Sequence, residues 1–189
     1  VPAVIGMVVQ SLYVILDGVV VGRGIGEVAL GAINIAFPFG MIAIAFSMLI
    51  GIGGGNIYSI YKGQGETAKA NNIFCQCLFF CIVIGAALAF VGFTFRENLA
   101  LFLGANDELL PTVTTYFKWS APFMLLQMVA FGGSIFVRND DAPRLVMAAS
   151  VTGAVINAAL DVVFILILHY GIEVSAITNG VGALIELAF

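Results

Sequence analysis

Charged side chains are scarce in this sequence: they make up 10% of the 189 residues, whereas 61% are hydrophobic. A soluble domain carries roughly 25% charged residues, so this chain lacks the polar side chains needed to cover a globule in water. The mean hydropathy of +1.11 agrees, and apolar runs exceed the ~20 residues that cross a bilayer core. The composition therefore predicts an integral membrane protein whose immediate partner is the lipid bilayer.

Basic residues are fewer than acidic ones. Seven Lys and Arg against eleven Asp and Glu give a formal net charge of −4, and no basic stretch occurs. A nucleic-acid partner would require a basic surface, so none is expected.

Histidine and cysteine are also rare. Cys75, Cys77 and Cys81 lie within one apolar run, and the single histidine, His169, lies far away. Disulfide scaffolds space their cysteines along loops and zinc sites need four ligands, so we predict that these cysteines are ordinary small helix residues. No nucleophile or metal pattern surrounds His169, so neither an enzyme nor a cofactor is expected.

Both ends of the sequence lie inside apolar runs. The chain begins without Met at Val1 and stops at Phe189, a pattern that predicts a portion of a longer protein. No cleavable signal peptide is expected, because the first apolar run carries Asp17 and lacks a basic flank.

Apolar runs bounded by charges and Gly/Pro clusters predict five complete transmembrane helices and a truncated sixth. Their predicted bounds are about 2–21, 30–60, 73–95, 113–137, 145–168 and 174–189. The second exceeds one bilayer thickness and should tilt or protrude. The predicted fold class is therefore all-α, a polytopic transmembrane helical bundle, with residues 1–189 forming one domain.

The distribution of Lys and Arg favours an N-terminus on the cytoplasmic side. With that orientation, four basic residues fall in cytoplasmic loops: Lys62, Lys69, Arg138 and Arg144. The other three lie in outer loops or at an outer helix end: Arg23, Arg96 and Lys118. The expected location is the inner or plasma membrane of a cell, as a multi-pass protein.

Two carboxylates interrupt apolar segments. Asp17 lies in the first segment and Asp161 in the fifth, where Asn157 precedes Asp161 by four residues and shares its helix face. Charged side chains inside a bilayer are retained mainly where they pair, bind or relay protons. At ~1.5 Å per residue, Asp17, Asp161 and Thr178 all lie roughly 6–11 Å below the outer boundary, so they can share one layer.

Oxygen atoms of Asp17, Asn157, Asp161 and Thr178 can therefore converge on one point. Such a cluster suits a proton or a hard cation such as Na⁺, and no other metal is expected. Two nearby carboxylates repel in a low dielectric, so one binds a proton unless a cation replaces it. The alternative is a structural role, in which each Asp hydrogen-bonds a neighbouring helix. Glu186 shares the helix face of Thr178 and, if the sixth helix continues, is predicted to face a substrate cavity.

Several stretches carry a family resemblance. They are residues 16–26 followed by 29–32, residues 51–55 running to 62–66, residues 102–105 leading into 116–117, and residues 137–140 and 157–165. Each is loose by itself, but their order and spacing cover nearly the whole chain, and together they resemble the multidrug and toxin extrusion (MATE) family. The residues that stand at positions 138–140 indicate a prokaryotic branch of this family.

The resemblance implies two six-helix bundles arranged as an inverted V around a central cavity that alternates between sides. This chain would be the N-terminal bundle, and its partner a second bundle from the same protein or a second copy. The family exports cationic, amphipathic compounds in exchange for Na⁺ or H⁺. Its first-bundle cation site maps onto Asp17, Asn157, Asp161 and Thr178. Pro2 matches the family's first-helix proline, where bending has been proposed; the alternative for Pro2 is an ordinary helix start.

Two alternative functions stay open. A flippase or exporter of lipid-linked precursors or polysaccharides, with related architecture, predicts several basic residues lining the cavity, and no segment core here contains one. A non-transporting, ion-binding membrane module predicts that Asp17 and Asp161 tolerate Asn without loss of function.

Overall fold

The computed structural model describes the backbone of residues 2–140 and 142–189, and their side chains except those of residues 2–7, 9, 10 and 13. Within this part the chain is helical and contains no strand, so the predicted all-α class is confirmed. The elements in chain order are α1 (Pro2–Gly24), α2 (Glu27–Gly63), α3 (Thr67–Thr94), α4 (Arg96–Phe102), α5 (Leu110–Asn139), α6 (Pro143–Asp161), a π-helical segment (Val162–Ile167) and α7 (Ile172–Ala188).

The helices extend beyond the apolar runs that predicted them. α1 and α2 each continue three residues past the predicted ends, to Gly24 and Gly63, and α3 begins at Thr67 instead of about residue 73. The added residues are mostly polar or small, so they make no apolar run that hydropathy could detect. The short helix α4 was not predicted, because its seven residues make no apolar run.

Among the described residues, four helical elements are long and apolar enough to cross a membrane: α2, α3, α5, and α6 together with the π-helical segment. α1 has 23 residues, which is long enough to cross a membrane, but the side chains of several of them are not described by the structure. α7 has 17 residues, slightly fewer than the ~20 that span a bilayer core.

The packing of α2 shows how this bundle is adapted to lipid. Its buried residues are mostly small and recur every three or four positions: Ala29, Ala32, Ala36, Phe39, Ala43, Ser47, Gly51, Gly54 and Gly55. Large apolar side chains point outward instead, with Leu49 70% and Ile60 59% exposed. Small residues inside let helix backbones approach closely, and large apolar residues outside contact lipid tails.

α5 is the centre of the bundle, since it packs against α2, α3 and α7. At the α3–α5 contact, a Cβ atom added to Gly85 would lie 2.9 Å from the backbone Cα of Leu125. On the α2 side, the rings of Phe39 and Phe117 meet edge to face with centroids 5.6 Å apart.

α1 packs chiefly against α6 and the π-helical segment. The contact is close at Gly24, where an added Cβ atom would lie 2.4 Å from Cγ2 of Ile165. Asp17 precedes Gly24 by seven residues, about two helical turns, so both lie on the same face of α1. The close approach at Gly24 therefore directs Asp17 toward the end of α6.

At the end of the bundle that carries Lys62 and Arg138, Asp140 links α2 to the connection between α5 and α6. The Lys62 ammonium forms an ion pair with Asp140 Oδ1, and the Tyr58 hydroxyl donates a hydrogen bond to the same oxygen at 2.7 Å. The bonds from Lys62 and Tyr58 hold the pKa of Asp140 below its ordinary value.

Gly85→Ala is expected to destabilise the bundle by about 1–3 kcal/mol, because the new methyl group meets the backbone of α5, which cannot move aside as a side chain can. Gly53→Ala is the matched control, since an added Cβ atom there meets nothing within 4 Å. Thermal unfolding in detergent should show a lower Tm for Gly85→Ala only. Equal Tm values would contradict the close approach of α3 and α5.

Asp140→Asn is expected to lower the stability at pH 7 by less than about 1 kcal/mol, because the ion pair is solvent-exposed. Since the folded-state pKa is depressed, the stabilisation is present above the unfolded-state pKa and is lost as the pH falls through the folded-state value. The Tm difference between wild type and Asp140→Asn should therefore stay constant from pH 7 down to the ordinary Asp pKa of about 4 and narrow only below it. Asp107→Asn, on an exposed turn, is the control; a pH-independent difference for Asp140→Asn would refute the electrostatic origin.

Candidate functional site

Asp17 of α1 and Asp161 at the end of α6 face one another inside the bundle. Their carboxyl groups lie in hydrogen-bonding contact, and Asp161 is fully buried. No donor among the described residues reaches Asp17 Oδ1 or Asp161 Oδ2. Two carboxyl groups can keep this contact only if one of them holds a proton or a cation lies between them.

Thr178 of α7 completes the contact between three helices. Its hydroxyl donates a hydrogen bond to Asp161 Oδ1 at 2.5 Å and lies 3.1 Å from the carbonyl oxygen of Ser175. Asp17 lies seven residues before the end of α1, Asp161 six before the end of the π-helical segment, and Thr178 six after the start of α7. All three are therefore about 9–11 Å from one end of their helices, and the structure places them in one layer.

Asn157 lies one turn away from Asp161 on α6 and has a different partner. Its amide donates to Asn179 Oδ1 at 3.4 Å, and the Asn179 amide donates to the Ser175 carbonyl at 2.9 Å. Asn157 is 3% exposed, yet its Oδ1 has no hydrogen-bond partner among the described residues. A buried, unpartnered carbonyl oxygen is a suitable ligand for a cation.

Sequence reasoning did not identify three residues of this layer. Ser175 is fully buried, and its Oγ has no partner within the described part of the chain. Tyr116 of α5 interacts electrostatically with both Asp17 and Asp161, and Asn179 binds Asn157. Helical periodicity could have found Ser175, which precedes Thr178 by three residues, and the depth argument could have found Tyr116, which lies six residues into α5.

The π-helical segment begins directly after Asp161. Its wider turn shows in the hydrogen bond from the Leu168 backbone N–H to the Val163 carbonyl, which spans five residues at 3.0 Å. π-helical turns are rare and often accompany functional sites. The segment consists only of apolar residues without Gly or Pro, so its sequence carries no sign of this geometry.

No group of three or more His, Cys, Asp or Glu side chains that could hold a metal ion occurs among the described residues. The Asp17–Asp161 layer offers carboxyl, amide and hydroxyl oxygens without nitrogen or sulfur, a set that suits H⁺ or Na⁺. Two of the cysteines contribute to helix packing, since an added Cβ atom would meet Cys77 Sγ at Gly54 and Cys81 Sγ at Gly132, whereas Cys75 is exposed.

A cavity of about 230 Å³ opens between α2, α5, α6 and α7. Its apolar wall includes Ile44, Met128 and Phe131, and its polar lining consists of Ser47, Gln127, Asn157, Asn179 and Glu186. The structure thus places Glu186 and Asn157 at the same cavity.

The predicted bend at Pro2 is not tested by the structure. α1 begins at Pro2, but the side chain of Pro2 lies outside the described residues, so a bend there stays a prediction.

Comparison with known proteins identifies the family to which this chain is similar. The family model described as MatE matches residues 2–163. The multidrug export protein MepA of Staphylococcus haemolyticus (strain JCSC1435) is 26% identical over 183 residues, which is 95% of this chain and 40% of that protein. The chain therefore spans about 40% of the length of this curated relative, as its N-terminal half.

Solved structures show the same relationship. One is a crystal structure of MATE in complex with MaD5. The match covers 100% of this chain and 42% of the chain in that structure, with 25% identity and a TM-score of 0.91. Another is the outward-facing conformation of a multidrug resistance MATE family transporter of the MOP superfamily. The match covers 99% of this chain and 42% of the chain in that structure, with 25% identity and a TM-score of 0.87.

Thr178→Val is expected to weaken Na⁺ binding by roughly tenfold or more, because the hydroxyl oxygen beside Asp161 Oδ1 is lost as a ligand and a polar contact to a charged group contributes about 1.5–3 kcal/mol. Thr178→Ser keeps the hydroxyl and is the matched control. Binding of Na⁺ and release of protons, measured on purified full-length protein, should separate the two variants. If Thr178→Val and Thr178→Ser bind equally well, the hydroxyl of Thr178 has no part in holding the cation.

Proposed function

Because this chain belongs to the MatE family, we propose that it is the cation-binding bundle of an exporter that exchanges cationic, amphipathic compounds for Na⁺ or H⁺. Members of this family are transporters and not enzymes, in agreement with the sequence prediction, and the chain is a multi-pass membrane protein. The observation that carries the proposal is the contact between Asp17 and Asp161, two carboxyl groups that each have one buried oxygen without a partner among the described residues.

The coupling follows from the charge of this pair. A bound H⁺ or Na⁺ neutralises part of the negative charge and lets Asp17 of α1 remain against Asp161 of α6. When the cation leaves, two carboxylates in a low dielectric repel. Since α1 packs chiefly against α6 and the π-helical segment, this repulsion loosens the position of α1. Cation binding and release thereby bias the bundle between two arrangements, which is the requirement for coupling.

The cavity between α2, α5, α6 and α7 supports a substrate of this class. Its wall joins aromatic and thioether side chains, Phe131 and Met128, to one carboxyl group, Glu186, and this combination favours an amphipathic cation. Its volume of about 230 Å³ is smaller than the ~300–1,000 Å³ of typical ligand sites. We therefore assign the remaining wall to a second transmembrane bundle, the partner that completes the cavity.

The alternative of a flippase for lipid-linked precursors or polysaccharides is less well supported. Such an anionic substrate would need Lys or Arg side chains in the cavity, and the described lining residues include none, while Glu186 is acidic. The proposed location is a prokaryotic cell membrane, with the end that carries Lys62 and Arg138 in the cytoplasm.

Asp17→Asn and Asp161→Asn are each expected to reduce cation-driven efflux at least ~tenfold in proteoliposomes with the full-length protein. The neutral amide lacks the negative charge by which a carboxylate binds and releases H⁺ or Na⁺, so the coupling is lost. Efflux of a fluorescent organic cation should be followed under a Na⁺ gradient and, separately, under a pH gradient. The gradient that drives efflux in the wild type identifies the coupling ion.

Asp107→Asn, on an exposed turn, is the control and should transport normally. Unaltered efflux in both site variants, with the wild-type Tm, would refute coupling at this pair and favour the non-transporting module or a structural role.

A further inference from the structure

α6 and α7 present a continuous polar seam that begins at the Asp17–Asp161 pair. On α6 the seam consists of Asp161, Asn157, Gly153 and Ser150, spaced three or four residues apart; on α7 it consists of Thr178, Asn179, Gly182 and Glu186. Thr178 contacts Asp161 at one end, and Ser150 hydrogen-bonds Glu186 at the other. The two helices are therefore antiparallel along the seam, with Glu186 at its far end.

Two glycines hold the middle of this seam together. A Cβ atom added to Gly153 would lie 3.1 Å from the Gly182 carbonyl oxygen and 3.2 Å from Cγ of Glu186. The helices are thus in close contact where neither offers a side chain. Glu186 lies eight residues from Thr178, which is about 12 Å along the helix axis, so a cation needs a further path between the two carboxyl sites.

The 230 Å³ cavity supplies that path. It is lined by Asn157 and Asn179 next to the Asp161 layer and by Glu186 at its other end. Asn157 is 3% exposed, and its Oδ1 lacks a partner among the described residues although it borders this cavity. The volume accommodates several water molecules at ~30 Å³ each, so the cavity can hold a hydrated cation or a chain of waters.

Glu186 also lines a second cavity of about 320 Å³, which reaches Val137 and Leu145 beside the basic end of the bundle. Arg138 of α5 acts on Glu186 electrostatically, and Ser150 of α6 binds it. Glu186 is the only titratable residue among the described lining residues of both cavities. A carboxyl group that joins two cavities, with a cation-repelling Arg138 beside it, suits brief occupation rather than tight binding.

We propose that Glu186 is a relay carboxyl, through which the H⁺ or Na⁺ released by Asp17 and Asp161 crosses the seam toward the basic end of the bundle. The inference rests on the proposed function, because it assumes that the Asp17–Asp161 pair binds the coupling cation. Glu186 takes no part in holding the cation at that pair; it receives the cation after release and passes it on.

Glu186→Gln tests this relay in the full-length protein, with Glu173→Gln as the matched control in the first turn of the same helix. Two quantities are measured: cation binding at equilibrium in detergent, and the rate of cation-driven efflux in proteoliposomes at several internal pH values. Glu186→Gln should retain equilibrium binding and slow the efflux about a hundredfold, the lower range for a positioned proton-transfer group. Glu186→Asp should restore part of the rate, and Glu173→Gln should match wild type.

Each other outcome overturns the relay in a recognisable way. If Glu186→Gln and Glu186→Asp transport at the wild-type rate while Asp161→Asn is inactive, the relay is wrong and the proposed function stands. If Glu186→Gln raises only the substrate KM, Glu186 contributes to substrate binding alone, and the relay is wrong while the proposed function stands. If Asp161→Asn transports normally, the proposed function and the relay both fail.

Discussion

Two carboxyl groups in contact, the fully buried Asp161 and the half-buried Asp17, are the constraint on which the proposed site depends. Asp17 and Asp161 join α1 to α6, and Thr178 adds α7 by a 2.5 Å hydrogen bond. Without a proton or cation, this contact is repulsive, so the arrangement of three helices is tied to the occupancy of one site. The structural carboxylate of Asp140 differs, because its Oδ1 accepts from both Lys62 and Tyr58. One oxygen of Asp17 and one of Asp161 have no partner among the described residues, and this supports the proposed cation site.

The rest of the packing allows this site to respond. α2, α3, α5 and α7 interlock through small residues, and at Gly85 helix α3 approaches the backbone of α5 directly. α1 is anchored differently, at Gly24 against Ile165 and at Asp17 against Asp161. Under the proposed function, α1 is the element on which cation release acts, because its described contact at Asp17 is with the other carboxyl group of the pair.

The candidate site was largely accessible to depth counting along the helices. Asp17, Asp161 and Thr178 were predicted in one layer from the ~1.5 Å rise per residue, and the structure brings them together. Asn157 was predicted on the face of Asp161, but its contact with Asn179 and with the cavity depended on how α6 meets α7. Tyr116 was missed because a tyrosine in an apolar run carries no conspicuous charge. The role of these residues in binding a cation stays a prediction.

The sequence by itself determined the helical class, the membrane environment and the depth of each polar side chain, because a scarcity of charge and a fixed rise per residue are local properties. Only the tertiary structure decided which helix faces meet. The π-helical turn after Asp161, the close approach at Gly24 and the glycine contact between α6 and α7 depend on backbones meeting across the bundle, and no local pattern encodes them. Those contacts bring three separate polar residues, Asp17, Asp161 and Thr178, into one layer and place Glu186 at the end of a seam.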